Sequence, residues 1–353
     1  MQTKKIRTAV VGFGISGQVF HAPLIKANTD YSLDVIVTGN AERIAVARQR
    51  YPLAKIVANL QELLRLIDSG ECPLDLLVLS TPPAGHRVEA EAAIARGLNL
   101  VIDKPFVSNS AEGAELIALA KKAGTALTVF QNRRWDGDFL TVQKLVNEHA
   151  LGNIYSFESR FEWWKPQGFG NWRDLANISQ GGGLLFDLGS HLIDQAIQLF
   201  GPVIESYAEL ARHAPPLSDA DEDSFISLIH ENGIRSRLWM NGSAARQGAR
   251  FHLLGSDAAF TKFGLDNQEL MLSRGISPDA QDYGVEPKES WGMFGLQKES
   301  KAVVTERGNY PAFYRELASA LFSGTTLPVD AESSLAVLEV IEDLHRRYRV
   351  RQH

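Results

Sequence analysis

The chain is nearly devoid of cysteine: Cys72, between Glu71 and Pro73, is the only one in 353 residues. A single thiol closes no internal disulfide and builds no cysteine-rich metal site, so a reducing compartment, the cytoplasm, is expected. Long hydrophobic runs are missing as well. No stretch approaches the ~18 apolar residues of a membrane helix, which excludes that kind of membrane span. The opening Met1-Gln2-Thr3-Lys4-Lys5 is basic, but the apolar run behind it is short and ends in glycines. It reads as a first strand, not an export signal. Nor is there a basic excess. Lys and Arg number 36 against 42 Asp and Glu, a net charge of −6, and this balance argues against a nucleic-acid surface.

What is present is ordinary for a folded globular protein, with 44% apolar and 22% charged residues. The length exceeds the ~250–300 residues at which single cores stop growing, so two domains are expected, 1–131 and 132–353. In the first, short apolar runs at 6–12, 34–38, 56–58, 74–80, 99–102 and 126–130 alternate with amphipathic segments at 14–27, 42–50, 60–67, 87–96 and 111–123. Strand–helix alternation at this spacing gives right-handed βαβ units and a parallel sheet. The rhythm changes after 132: a helix at 138–148, a long strand at 154–164 and a helix at 190–199 come first. Strand-like runs follow at 203–210, 224–230, 234–240, 251–254 and 259–262, parted by turns such as Asn232-Gly233. Hairpin-sized gaps imply a large, mostly antiparallel open sheet in an α+β domain. Residues 273–305 read as irregular, and closing helices at 312–321 and 332–347 are placed to pack back on the first domain.

Val10-Val11-Gly12-Phe13-Gly14-Ile15-Ser16-Gly17 runs from the first strand through G-x-G-x-x-G into a helix. Gly12 permits the tight turn, Gly14 lets backbone N–H groups approach a pyrophosphate, and Gly17 allows close helix–strand packing. Three glycines alone are a weak signal; their place in a repeated βαβ series makes this a Rossmann dinucleotide site. The ribose-reading position ends the second strand, where NAD enzymes usually carry Asp or Glu. Here that stretch is Val37-Thr38-Gly39-Asn40, with Arg43 beyond. No carboxylate stands there to repel a 2′-phosphate, and Thr38, Asn40 and Arg43 can all donate to one. NADP is therefore expected over NAD, although Arg43 also reads as a solvated residue on the next helix.

Three more segments complete the pattern: Ser80-Thr81-Pro82-Pro83-x-x-His86, Val101-Ile102-Asp103-Lys104-Pro105, and Gly181-Gly182-Gly183-x-x-x-Asp187-x-Gly189-x-His191-x-x-Asp194. With the glycine loop, and in this order, they resemble the glucose–fructose oxidoreductase/inositol dehydrogenase (Gfo/Idh/MocA) family. Asp103-Lys104-Pro105-Phe106, Asn132-Arg133-Arg134-Trp135-Asp136 and the run from Tyr155 to Phe161 bring the NADP-linked scyllo-inositol dehydrogenases nearest. The family more often has Glu before Lys-Pro; Asp103 keeps the carboxylate on a shorter stem. The resemblance implies nucleotide contacts from Phe13, Ser80, Thr81, Pro82, His86, Asp103 and Lys104, and a homodimer or homotetramer formed through the second-domain sheet.

Oxidising a secondary alcohol requires a base for the hydroxyl proton and donors for the developing alkoxide, while the cofactor takes the hydride. Asp187, His191 and Asp194 are spaced i, i+4, i+7 and so share a helix face. Lys104 lies just past a strand's C-terminal end, the rim where open α/β sheets bind ligands. The resemblance makes His191 the general acid/base, Lys104 the donor to the reacting hydroxyl and the ribose, and Asp187 an aid to substrate binding and proton handling. Asp194 reads as helix support. Asp187-x-x-x-His191 has the spacing to present two metal ligands, but no second His or Cys cluster joins them and no metal is expected. The resemblance also implies that Arg133, Arg134, Asp138, Trp163, Trp172 and Arg173 point towards the cleft, where polar groups and flat aromatic faces suit a polyol or sugar. Two other functions stay open: a non-catalytic NAD(P)-binding regulator of the same fold, or a reductase of another small carbonyl compound.

Overall fold

The protein is described from a computed structural model covering residues 5–170, 174–213 and 218–353. Six strands form the first sheet: β1 (Ile6–Val11), β2 (Tyr31–Val37), β3 (Lys55–Val57), β4 (Leu76–Leu79), β5 (Asn99–Ile102) and β6 (Leu127–Val129). Their order is β3-β2-β1-β4-β5-β6 and every pairing is parallel. Strands covered on both faces have no polar side to show, and Leu76, Leu77, Val78 and Leu79 are accordingly all buried. Strand order reverses between β1 and β4, opening a crevice above their C-terminal ends.

Helices α1 (Ala22–Ala27), α2 (Ala41–Arg50), α3 (Leu60–Asp68), α4 (Pro83–Ile94) and α5 (Ser110–Ala123) cover this sheet. Asn40, Asn59 and Asn109 start three of them by accepting from the amides of Arg43, Glu62 and Glu112 at 3.0, 2.9 and 2.9 Å. The helix expected over 14–27 begins at Ile15, and a π turn, Gly17–His21, lies within it ahead of α1.

The second sheet has nine strands in the order β14-β13-β12-β11-β7-β10-β9-β8-β15. In chain order, α6 (Gly137–Asn147) precedes β7 (Ile154–Glu162), and α7 (Ser190–Phe200) precedes β8 (Val203–Arg212), β9 (Asp223–His230), β10 (Arg235–Asn241), β11 (Phe251–Gly255) and β12 (Ala259–Lys262). Then come α8 (Gln268–Ser273), β13 (Gly292–Gly295), β14 (Lys301–Val303), α9 (Pro311–Ser323), α10 (Ala331–Arg347) and β15 (Val350–Gln352). Most pairings are antiparallel, but β7 with β10 and β8 with β15 run parallel. Alternate residues of β9, namely Ser224, Ile226, Leu228 and His230, are buried, which is the period of a strand with one face on the core. The segment 273–305, read from sequence as irregular, holds β13 and β14, and β15 follows the last helix.

Helices α9 and α10 return to the first domain. Tyr31 donates to the Tyr314 carbonyl (2.8 Å), Thr128 to the Val329 carbonyl (2.7 Å), and the Ser110 amide to Glu342 (2.5 Å). Among the described residues, no helix is long and apolar enough to cross a membrane.

Candidate active site

Where β1 ends, the backbone is too crowded for side chains. Gly12 has φ +90°, and a Cβ there would stand 2.4 Å from the Ser80 carbonyl oxygen of the neighbouring strand end. A Cβ on Gly17 would meet the Gly12 oxygen at 2.3 Å. Gly14 differs: the nearest atom to its Cβ position is Nη1 of Arg43, 3.9 Å away. This glycine borders open space, as a close-approaching pyrophosphate requires. The Ser80 hydroxyl at the same rim is buried without a hydrogen-bond partner among the described residues. An open cradle, an unsatisfied hydroxyl and a nearby guanidinium together fit a phosphorylated dinucleotide.

Not every expected nucleotide contact faces that cradle. Phe13 packs into the core edge-on to Tyr51, with ring centroids 6.1 Å apart, leaving its backbone to the loop. Thr38 is buried, and the Asn40 side-chain oxygen caps α2. Pro82 caps α4. Thr81 donates to Glu89 at 2.5 Å. His86 is buried between two backbone carbonyls, those of Thr81 (2.8 Å) and Phe106 (3.0 Å), and so stitches the loop after β4 to the loop after β5.

The loop after β5 carries Asp103 and Lys104. The Lys104 ammonium donates to Asp187 twice, to its carbonyl at 2.5 Å and its carboxylate at 2.6 Å. An ammonium has three N–H groups, so one is left for a ligand. Asp187 sits in a second π turn, Leu185–Gly189, which runs into α7. That turn is anchored from behind: the Leu185 amide donates to buried Asp221 (2.9 Å), as does the Ser224 hydroxyl (2.6 Å). Gly183 has φ +94°, and a Cβ there would lie 2.3 Å from the same carboxylate.

His191 follows in the first turn of α7, and its Nδ1 is buried with no partner among the described residues. Burial first, then the positive charges of Lys104, Arg133 and Arg250, hold its pKa well below the ordinary histidine range. It is therefore neutral at pH 7 and able to accept a proton. Its ring stands edge-on to Phe161, which carries the Arg250 guanidinium at 4.1 Å and that of Arg133 at 4.8 Å.

Beneath this floor lies a buried charge cluster. Arg133 bonds Asp136 (3.3 Å) and Glu269 (2.8 Å), and Tyr310 donates to Asp136 (2.6 Å). Arg250 meets Gln195 at 2.9 Å, donates to Ser159, and stands 3.7 Å from Asp138. Burial, with the Asp138 charge, pushes Asp266 up to about 6. Arg134 forms a two-pronged pair with Asp194 (2.8 and 2.6 Å) and reaches Ser333 of α10. Arg133, Arg134 and Asp138, expected to face substrate, are thus spent on core partners, and Asp194 braces the helix. Trp163 is half-buried and stacks on Phe161 at 5.7 Å with its plane tilted by 10°. Trp172 and Arg173 lie outside the described residues.

Sequence reading missed the groups behind Asp103. Its carboxylate accepts the Lys104 amide (2.9 Å) and faces His21 Nε2 across 3.8 Å, beyond hydrogen-bond reach. His21 Nδ1 in turn meets the Tyr314 hydroxyl at 2.7 Å. Burial opposes the Asp103 charge, but His21, Ser16 and Lys104 outweigh it and hold the carboxyl below its usual range. The available signal was His21 itself, a histidine in the apolar turn after the glycine loop; its partner Tyr314 is 293 residues away.

Comparison with known proteins now has a geometry to refer to. Residues 6–131 match the family described as "Oxidoreductase family, NAD-binding Rossmann fold", and 139–261 match the GFO/IDH/MocA C-terminal domain. The scyllo-inositol 2-dehydrogenase (NADP(+)) IolW of Bacillus subtilis is 31% identical over 342 residues, covering 96% of this chain and 92% of that one. The uncharacterized oxidoreductase YdgJ of Escherichia coli is 34% identical over 96% of this chain and 94% of its own. The solved structure of yvaA from Bacillus subtilis superposes with a TM-score of 0.88 at 28% identity, covering 98% and 96% of the two chains.

Proposed function

Given that the chain belongs to the GFO/IDH/MocA oxidoreductase family, we propose that it moves a hydride between NADP(H) and a secondary alcohol or ketone of a neutral polyol, an inositol or a sugar. The observation that carries this reading is the meeting of Lys104, Asp187 and a neutral His191 beside the glycine cradle. An enzyme keeps such a set; a nucleotide-sensing regulator has no use for it.

NADP, when bound, supplies the hydride acceptor. Gly12, Gly14 and Gly17 would give it backbone room, with Ser80 and Lys104 beside it and Arg43 towards a 2′-phosphate. Lys104 donates its remaining N–H to the reacting oxygen, so charge developing there meets a cation already in place. Asp187 fixes the direction of that ammonium. His191 takes the hydroxyl proton in oxidation and returns it in reduction. Half-buried Trp163, backed by Phe161, offers a flat face to ring C–H bonds. Because Arg133 and Arg134 are bound to carboxylates, a neutral polyol fits better than an acidic sugar.

NADP specificity rests on the guanidinium of Arg43 over Gly14, and the NADP named for the Bacillus subtilis relative points the same way. A steady-state panel of scyllo- and myo-inositol, glucose and xylose with each coenzyme tests the reading. Reduction of NADP with one of these is expected; a panel turning over only apolar alcohols, or no polyol and no keto-polyol, overturns it. A homodimer or homotetramer through the second sheet belongs to the same proposal. Ile204 and Tyr207 of β8, Tyr155 of β7 and Met293 of β13 are exposed apolar side chains on that sheet. Light scattering should give at least twice the monomer mass of 38.9 kDa, and a monomer at micromolar concentration would refute it.

A further inference from the structure

We propose that His21 is a positioning residue for the reaction, acting on Lys104 through Asp103 and held in its working tautomer by Tyr314. The inference rests on the reading of Lys104 as the reacting ammonium and extends it to residues outside the cleft. Its basis is geometric. The π turn that ends at His21 aims the ring at the loop after β5, and the π turn holding Asp187 approaches that loop from the second domain. Such turns occur often at functional sites because they re-aim a side chain within a helix. Asp103-Lys104 is thus gripped from two sides, by His21 on the carboxylate and by Asp187 on the ammonium.

The chemistry follows from the partners. His21 is wholly buried, with its ring 4.3 Å from that of Phe130, so its orientation is fixed by packing. The Tyr314 hydroxyl lies 2.7 Å from Nδ1; in the working tautomer it donates there, and the ring proton sits on Nε2, facing Asp103 across 3.8 Å. Ser16 from the glycine loop and Lys104 from its own loop are the other polar groups turned towards that carboxylate, and Tyr31 from β2 braces Tyr314 through its carbonyl. A buried carboxylate stays ionised only when donors and cations compensate its burial. Without His21, burial gains weight, Asp103 takes up a proton at higher pH, and Lys104 loses the negative charge beside it.

The test is His21→Leu with His21→Gln, whose amide nitrogen can stand near the Nε2 position, and Tyr314→Phe. The acid limb of kcat/KM should move up by about one pH unit in H21L, equivalent to a tenfold rate loss on that limb. KM for NADP should hold within about twofold. H21Q should recover most of the shift, and Y314F should show a smaller one in the same direction. ¹⁵N-histidine spectra of the wild type, with His21 assigned from its absence in H21Q, should show the proton on Nε2. An H21L enzyme that binds NADPH and keeps the wild-type limb, or a His21 proton on Nδ1 alone, overturns the proposal. If the wild type turns over no polyol, the proposed function has failed, whereas the tautomer and the pH dependence of NADPH affinity in H21L still decide the role of His21.

Discussion

The two walls of the cleft are built by opposite means. On the nucleotide side the decisive features are missing atoms: Gly12 and Gly17 are fixed by backbone oxygens 2.4 and 2.3 Å from where a Cβ would stand, and Gly14 by the space in front of it. On the acid/base side they are largely buried arginines with distant partners, Arg134 with Asp194, Arg133 with the more exposed Glu269, Arg250 beside Asp138. A wall made of backbone announces itself in a local glycine pattern; a wall made of compensated charges depends on side chains whose partners are known only after folding. The first should be hard to move by distant changes. The second should respond to any partner that is removed.

Substitutions can sharpen or break this contrast. The largest effect is expected where the walls meet: Lys104→Ala or His191→Ala should lower kcat by about 10²–10⁴, the cost of losing a positioned proton-transfer group. NADPH binding, followed by fluorescence titration, should survive better, and near-wild-type turnover in either variant removes that residue from the mechanism. Next comes Asp194→Ala, which leaves Arg134 buried without its carboxylate. A loss of about 3–5 kcal/mol in unfolding free energy is expected, as for other broken buried pairs, with little change in KM for NADP. Denaturant titration measures it, and an unchanged midpoint would mean that the pair is idle.

A smaller effect belongs to the nucleotide wall. Arg43→Ala should weaken NADP by ~1–3 kcal/mol, the worth of hydrogen bonds to a charged group, and leave NAD nearly untouched. Equal losses with both coenzymes would refute a 2′-phosphate contact. Smallest is a pH effect in the wild type. His191 is held neutral by burial and three cations, so its folded pKa lies below its unfolded value. Its protonation should leave kcat/KM for oxidation level through the ordinary histidine range near ~6.5 and lower it only at more acid pH. The sign for stability is the same: the unfolded chain binds this proton first, so the His191 contribution is present above ~6.5 and declines as pH falls below it. A bend in the rate at or above ~7 that H191A abolishes would contradict the placement.

The same contrast explains what could be read beforehand. The succession of β1 to β6 and the glycine cradle follow from local runs and a recognisable spacing, and family resemblance put Lys104, Asp187 and His191 in one set; the ion pair between Lys104 and Asp187 shows only in the fold. The strands β13 and β14 were hidden because they are three or four residues long and depend on a neighbour for their pairing, β13 on β12 and β14 on β13. The π turns left no mark in hydrophobic period. Arg133 and Arg134 look like ligand contacts in sequence; only Glu269, 136 residues away, and Asp194, 60 residues away, show that they are core groups. His21 stood in plain view, but its partners Asp103 and Tyr314 lie far along the chain.

The return of α9 and α10 bears on what counts as a folding unit. Tyr31 and Thr128, on strands of the first sheet, are satisfied by carbonyls of Tyr314 and Val329, and Leu335 packs where Gly113 leaves room on α5. A polypeptide of residues 1–131 would therefore expose apolar surface and orphan buried hydroxyls that the intact chain covers with its last fifty residues or so. The nucleotide-binding half is discontinuous in sequence, closed only once the rest of the chain has been made. Autonomy should fall at a different cut: the first segment supplied in trans with 311–347 has what it needs to assemble, whereas the first segment alone does not.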